Sequence, residues 1–311
     1  MKILILGAGA VGGYFGALLQ TKGIDVTFLV REKRAVYLQK YGLNILSPLG
    51  NFTVTPKVIT GLNPIDNFQL VIISCKAYSL DEALDTLSPL NKSSYILPLL
   101  NGISHYSILG DFFGKKRVLG GFAHLSTSLD PKGNIVHMNM LQRLTLGALE
   151  PEQIPFIQKI HKLLSPVAPF IVSSDHIKLE MRKKLIFIST AAAATCLMNK
   201  TIGEIASIPG EAEKIKEAFN LSCQAAAASG FHPDDKWTEE TLQELLNKES
   251  TMTSSLLRDM QNSNPVEISI IEDMLEINRK ANIYNRLLDT AYLTLLSYKS
   301  KRSSLQTLTG F

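Results

Sequence analysis

"KILILGAGAVGGYFGALLQTKG" occupies residues 2–23. A short apolar run is followed by glycines and then by apolar residues at helical spacing, which reads as strand, tight turn and helix. Gly7, Gly9 and Gly12 make a GxGxxG pattern, with Ala8, Ala10 and Val11 between them. The bare pattern is weak, but here it sits in the strand-turn-helix context that its chemistry needs. Gly7 permits the turn, Gly9 lets a pyrophosphate approach the backbone, and Gly12 lets the helix lie close to the sheet. The helix N-terminus then faces the phosphates. A glycine turn that binds nothing is the alternative reading.

The same alternation continues outward. "DVTFLV" reads as a second strand, and "LVIISC" (70–75) and "SYILPLL" (94–100) as further strands, each followed by a turn and a helix-like stretch. Strands alternating with helices imply a parallel sheet covered on both faces. Beyond it, "GNIVHMN" and "RLTLGAL" are expected as antiparallel strands and "EQIPFIQKIHKLL" as an amphipathic helix. From about Asp175 the signal is helical only, with segments expected near 176–199, 211–229, 236–247, 265–281 and 285–299. The expected class is α/β, a Rossmann-type domain over 1–174 joined to an all-helical domain over 175–311. A length of 311 residues exceeds what one core usually holds, which favours two domains.

Composition excludes several classes. With 45% hydrophobic and 19% charged residues, disorder is excluded. A formal charge of only +4, with no dense basic run, speaks against a nucleic-acid surface and suits a small anionic ligand. Cys75, Cys196 and Cys223 are scattered without metal-ligand spacing, so no metal is expected and the thiols read as reduced, pointing to the cytoplasm. A strand beginning at Lys2 leaves no room for a signal peptide. The apolar run after Lys184 is too short for a membrane span. Apolar C-terminal stretches such as "LLDTAYLTLLSY" suit a homodimer interface and a monomer core equally.

The second strand ends in "FLVREKR". An NAD site commonly places an acidic residue near here for the ribose 2′-hydroxyl, whereas this chain has Val30 and Arg31. A guanidinium suits a 2′-phosphate, so NADP is expected over NAD, with Arg31 carrying the inference and Lys33 and Arg34 read as a solvated helix start. Ligands in such sheets bind beyond the carboxyl ends of the strands, where Lys76 in "CKAY" and Asn101 in "LLNGIS" stand.

In "EMRKKLIFISTAAAATC" (180–196), Met181, Lys184, Ile188 and Ala192 share one helical face, while Arg182 and Lys183 begin other faces and are expected to snorkel to water. A partly buried Lys184 becomes a better proton donor near neutral pH. In "NPVEISIIEDMLEINRK", Pro265 is expected in a first helical turn, with Glu267 on the apolar face with Ile270, Ile271 and Met274. Glu272, Asp273 and Glu276 are expected to point elsewhere. A buried carboxylate needs a partner, a lysine or a substrate donor. Just upstream, Ser254, Ser255 and Asp259 offer polar groups, helix capping being the other use of the serines.

Together these residues resemble the ketopantoate reductase family, the NADP-dependent 2-dehydropantoate 2-reductases. The resemblance runs through "ILGAGAVGGYFGALL", "CKAY", "LLNGIS", "VLGG" at 118–121, "KKL", "SSLLRD" and "VEI". It implies transfer of hydride from NADPH to the C2 carbonyl of a small anionic 2-oxo acid, ketopantoate first, as in pantothenate biosynthesis. Lys184 would be the general acid and Glu267 its support, with Ser255 on the substrate carboxylate. Asn101 and Lys76 would lie beside nicotinamide and substrate. The substrate-side candidates are thus Asn101, Ser254, Ser255 and Asp259. Those on the cofactor side are Gly7 to Gly12, Arg31, Lys76, Asn101 and Glu267. Where the family has an aromatic residue two positions before the lysine and asparagines four and eight after it, this chain has Arg182, Ile188 and Ala192. The pocket wall is therefore expected to be more apolar, and a paralogue acting on another 2-oxo acid or ketone stays open. A 3-hydroxyacid or 6-phosphogluconate-type dehydrogenase would have Asn at 188. A non-catalytic NADP-binding sensor is the reading from outside enzymology.

Overall fold

β1 (Lys2–Leu6) divides its side chains between two cores. Ile3 and Ile5 pack with Phe15, Leu19 and Phe28, while Leu4 and Leu6 pack with Leu84, Leu87 and Leu109. A strand buried on both faces belongs inside a parallel sheet with helices on each side. The computed structural model describes residues 1–63 and 65–309, with side chains described through Arg302 and at Ser304.

After β1 the chain runs α1 (Ala10–Thr21), β2 (Asp25–Leu29), α2 (Glu32–Tyr41), β3 (Leu43–Leu46), β4 (Phe52–Val54), β5 (Lys57–Ile59) and β6 (Leu70–Ile73). α3 (Leu80–Leu87), β7 (Tyr95–Pro98) and α4 (His105–Phe113) follow. The first sheet has the order β5-β2-β1-β6-β7, every pair parallel. Its order reverses at β1, so the carboxyl ends of β1 and β6 flank the crevice where such sheets take ligands. α1 lies against this sheet through glycine: a Cβ at Gly16 would stand 2.5 Å from both Ile5 Cδ1 and Phe28 Cζ, and one at Gly12 would collide with Ser74 Oγ.

A second sheet, order β10-β9-β3-β4 with β8 also paired to β9, is built from β8 (Gly120–Leu129), β9 (Ile135–Gly147) and β10 (Ile171–Ser173), with α5 (Ile154–Leu164) preceding β10. The two segments expected as separate antiparallel strands are one strand: "GNIVHMN" and "RLTLGAL" both fall in β9, and the antiparallel partner is β8. The middle of β9, residues 138–141, has no partner in the β8 register, which jumps from Leu125 opposite Gln142 to Thr127 opposite His137, and His137 Nε2 lies 2.9 Å from Leu141 O across that irregularity.

The remaining chain is helical: α6 (Ile177–Met198), α7 (Ile202–Ala206), α8 (Glu211–Ala228), α9 (Asp235–Leu245), α10 (Ser255–Gln261), α11 (Ser269–Lys280) and α12 (Arg286–Thr309). Its core joins Leu185, Ile186 and Ala191 to Ala194 of α6 with Phe219 of α8, Ile271 and Met274 of α11 and Leu288 and Leu295 of α12. By contacts the chain divides into two units, residues 1–101 with 105–178, and residues 102–104 with 179–311. The division thus falls after Lys178, later than the 174 read from sequence, because Ile177 packs on Gly120 and Gly147 of the sheet unit. Among the described residues no helix is long and apolar enough to cross a membrane.

Candidate active site

In the sheet unit, four neighbouring strands deliver the candidate cofactor residues. The glycine turn follows β1, Arg31 follows β2, Lys76 follows β6 and Asn101 follows β7, and these strands lie side by side in the order β2-β1-β6-β7. Gly7 has φ +86°, a left-handed conformation that costs other residues strain. Its N–H donates to Leu29 O at 2.8 Å, tying the turn to β2. Gly9 is the N-cap of α1 and no side chain caps the helix, so the first-turn amides are left for a ligand. A Cβ at Gly9 would meet nothing within 4 Å. That open space lies at the amide end of a twelve-residue helix, and it fits the pyrophosphate of a dinucleotide.

Arg31 is exposed and pairs with Glu82 of α3, its Nε donating to Oε1 at 3.0 Å. Arg34, expected as part of a solvated helix start, is instead half-buried. Its Nη2 donates to Ala8 O and Gly133 O, both at 3.2 Å, and its guanidinium covers the Tyr37 ring at 4.9 Å from the centroid. The missed signal was the i, i+3 spacing of Arg34 and Tyr37, which stacks a cation on a ring.

In the helical unit, Lys184 lies in the second turn of α6, which begins at Ile177. Part of its surface reaches solvent, yet the surrounding protein desolvates the ammonium and lowers its pKa to about 8, while the Glu267 carboxylate opposes that shift. Glu267 is 4% exposed. It does not stand within a helix, because α11 begins at Ser269, and Pro265 and Glu267 lie in the irregular segment before it.

Lys183 corrects a second expectation. It does not snorkel: its side chain is 10% exposed, with Nζ 2.7 Å from Asp234 Oδ2, 3.6 Å from Glu180 Oε1 and 5.5 Å from the centre of the Trp237 ring. Arg182 also turns inward, its guanidinium 4.8 Å over Phe231 and within electrostatic reach of Asp273. Asp273, expected to point away from the apolar face, is buried at 8% exposure. Its Oδ2 accepts from Ile103 N and, at 3.1 Å, from Ser104 N. Sequence reasoning missed it because the partners are backbone amides about 170 residues away.

Ser254 takes the capping role weighed for these serines. It is the N-cap of α10, accepting from Leu257 N at 3.1 Å and from Thr195 Oγ1 at 2.7 Å. Ser255 is the first residue of that helix, and Asp259 lies one turn further on, acting on Arg258. Cys75, Cys196 and Cys223 form no disulfide, and among the described residues no group of His, Cys, Asp or Glu could hold a metal ion.

Comparison with known proteins bears on the family and the fold. Residues 3–151 match the family described as ketopantoate reductase PanE/ApbA, and residues 176–297 its C-terminal domain. An oxidoreductase of Bacillus subtilis, YkpB, named there as uncharacterized, is 34% identical over 97% of this chain and 100% of its own length. A 2-dehydropantoate 2-reductase of Archaeoglobus fulgidus is 23% identical over 87% of this chain and 88% of its own. Among solved structures, a 2-dehydropantoate 2-reductase of Geobacter metallireducens superposes with TM-score 0.86 at 23% identity, over 96% of this chain and 99% of its own. A D-mandelate dehydrogenase with NADH and anilino(oxo)acetate also gives 0.86, at 20% identity over 97% and 99%. The last two show a shared fold.

Proposed function

Because the chain belongs to the ketopantoate reductase family, and is an oxidoreductase of that family, we propose that it reduces a small 2-oxo acid to the 2-hydroxy acid with NADPH, ketopantoate being the first candidate. The observation that carries the reading is the desolvated Lys184 beside the buried Glu267. A bound reduced nicotinamide supplies the hydride. As the C2 carbonyl oxygen gains negative charge, the Lys184 ammonium donates one of its protons to it, giving the hydroxyl and a neutral amine that solvent reprotonates. Partial burial sets the lysine's acidity near the working pH, where proton donation is most effective. Glu267 keeps enough positive charge on Lys184 for the proton to be present when it is needed.

Ser255 and Asn101 are assigned to the substrate carboxylate and carbonyl, and Lys76 to the substrate and nicotinamide side. The turn from Gly7 to Gly12 is assigned to the pyrophosphate. Arg31 is assigned to the 2′-phosphate, its exposed pair with Glu82 being weak enough to exchange for a phosphate. A cytoplasmic role in pantothenate biosynthesis accords with three cysteines that form no disulfide.

A second reading follows from Ile188 and Ala192, which put alkyl groups on the Lys184 face of α6 where a polar substrate would want donors. They suit a 2-oxo acid with a branched or aromatic side chain, and the D-mandelate dehydrogenase of the same fold is named with such a ligand. Loss of NADPH absorbance on a panel of ketopantoate, branched and aromatic 2-oxo acids, run beside NADH, decides between the two. A rate confined to ketopantoate sinks the second reading, and no rate on any member sinks both.

A further inference from the structure

We infer that Asp273 is a positioning residue for Asn101, holding the turn that follows it through a carboxylate supplied by α11. The inference rests on the assignment of Asn101 to the oxo-acid site. Asn101 is followed by Gly102, Ile103 and Ser104, and these three residues pack with the helical unit although the strand before them belongs to the sheet unit. Both amides after the glycine donate to one oxygen of Asp273, Ile103 N by a short bond and Ser104 N at 3.1 Å. A carboxylate bonded to two backbone amides is a strong, directional anchor, since hydrogen bonds to a charged acceptor exceed neutral ones by roughly twofold.

Gly102 adds a second, independent observation. Its φ is +86°, and a Cβ there would run into Asp273 Oδ2. The carboxylate is therefore packed against the peptide joining Asn101 to the anchored amides, and the turn has room for it only because residue 102 has no side chain. Asp273 is 8% exposed, so its charge needs compensation beyond the two amides. Arg182, two residues before Lys184, provides it: the guanidinium acts on Asp273, and its Nη1 is buried without a hydrogen-bond partner, so charge rather than a direct bond links the two. Arg182, two residues before the proposed acid, and the turn after Asn101 are thus referred to one buried carboxylate. Such a device fixes a donor to within the tolerance that catalysis requires, where a displacement of about 1 Å can cost ~100-fold in rate.

The test uses the full-length chain with Asp273→Ala and Asp273→Asn, the latter keeping one acceptor oxygen. Three quantities are measured: hydrogen exchange in peptides covering 99–106, NADPH affinity, and kcat and KM on the best 2-oxo acid. The expected result is faster exchange at 103 and 104 in Asp273→Ala. Its kcat should fall roughly tenfold to a hundredfold while NADPH affinity stays within about twofold. Asp273→Asn should be intermediate in both exchange and kcat, a graded rescue that a general loss of folded protein does not produce. Unchanged exchange in Asp273→Ala, or faster exchange with wild-type kcat, overturns the role. A wild-type chain inert on every 2-oxo acid overturns the functional reading and this role with it. That case is told apart by the exchange, which reads the grip of Asp273 with no substrate present.

Discussion

Lys183 Nζ lies 2.7 Å from Asp234 Oδ2, and the same Asp234 caps α9 by accepting from Trp237 N at 2.9 Å. One carboxylate therefore fastens α6 to the start of α9, and Lys183 is a structural cation directly beside the proposed catalytic one. Asp234 has its pKa held down to about 2, chiefly by the hydrogen bond from Lys183 and then by the Trp237 amide. Removing Asp234 strips both the cap and the partner of a buried ammonium. Removing Lys183 leaves a carboxylate that is itself largely in water. Asp234→Ala should therefore destabilise more than Lys183→Met, by about 2 against about 1 kcal/mol in urea unfolding. The reverse order would show that the ion pair is not what holds α9.

Lys184→Ala should behave differently from either, lowering turnover by orders of magnitude with NADPH affinity and melting temperature nearly intact. Turnover equal to wild type would remove Lys184 from the chemistry.

The pH dependence follows from the same lysine. With its pKa lowered to about 8 by burial, Lys184 carries the proton for reduction below that pH and has lost it above, so kcat for reduction should fall as pH rises through about 8. Glu267 raises that pKa, so Glu267→Gln should move the break to lower pH. Stability runs the other way. An unfolded lysine titrates near ~10.4. Between about 8 and ~10.4 the unfolded chain holds a proton that the folded chain has released, so this group's contribution to stability rises with pH across that window. A pH–rate profile of Glu267→Gln superimposable on wild type would separate the two residues.

What was legible in the sequence was what short-range pattern encodes. The strand and glycine turn at residues 2–12, the helix that carries Lys184, and the apolar runs of β6 and β7 all state themselves through periodicity. Less legible was anything decided by a distant partner. Asp273 looks like one of three exposed acids of α11, and only the amides of Ile103 and Ser104 turn it inward. Helical spacing separates Lys184 from Lys183, but the burial of Lys183 is set by Asp234, about fifty residues on, and leaves no mark near position 183. The single strand β9 was read as two because residues 138–141 interrupt its register, and the pairing to β8 that resumes on either side of them leaves no local trace.

The glycines of the first turn and of α1 divide by what stands near them. A Cβ at Gly16 would be 2.5 Å from Ile5 and Phe28 side-chain atoms in a packed core, so Gly16→Ala should cost about 1–3 kcal/mol through overpacking. A Cβ at Gly9 meets nothing, and its φ of −82° suits any residue. Gly9→Ala should therefore keep its melting temperature while weakening NADPH at least ~10-fold, because only a bound pyrophosphate would contest that space. Calorimetry of Gly9→Ala with and without NADPH reads both, and an undiminished shift on adding NADPH would place the phosphates elsewhere.

Arg31 decides between the two nicotinamide cofactors. Its guanidinium is 77% exposed and shares Glu82, and an exposed pair of this kind is worth ~0–1 kcal/mol, so an incoming 2′-phosphate has little to displace. A charge-assisted hydrogen bond to that phosphate contributes ~1.5–3 kcal/mol, which is about 10- to 100-fold in affinity. Arg31→Ala should weaken NADPH by that factor and leave NADH unchanged, while Glu82→Gln, which frees the guanidinium, should tighten NADPH by at most ~5-fold. Fluorescence titration of each variant with both cofactors measures the four constants. Equal weakening of NADPH and NADH in Arg31→Ala would mean that Arg31 reads the shared part of the two molecules. Selectivity would then fall to Arg34, whose guanidinium already lies on the Ala8 carbonyl of the glycine turn.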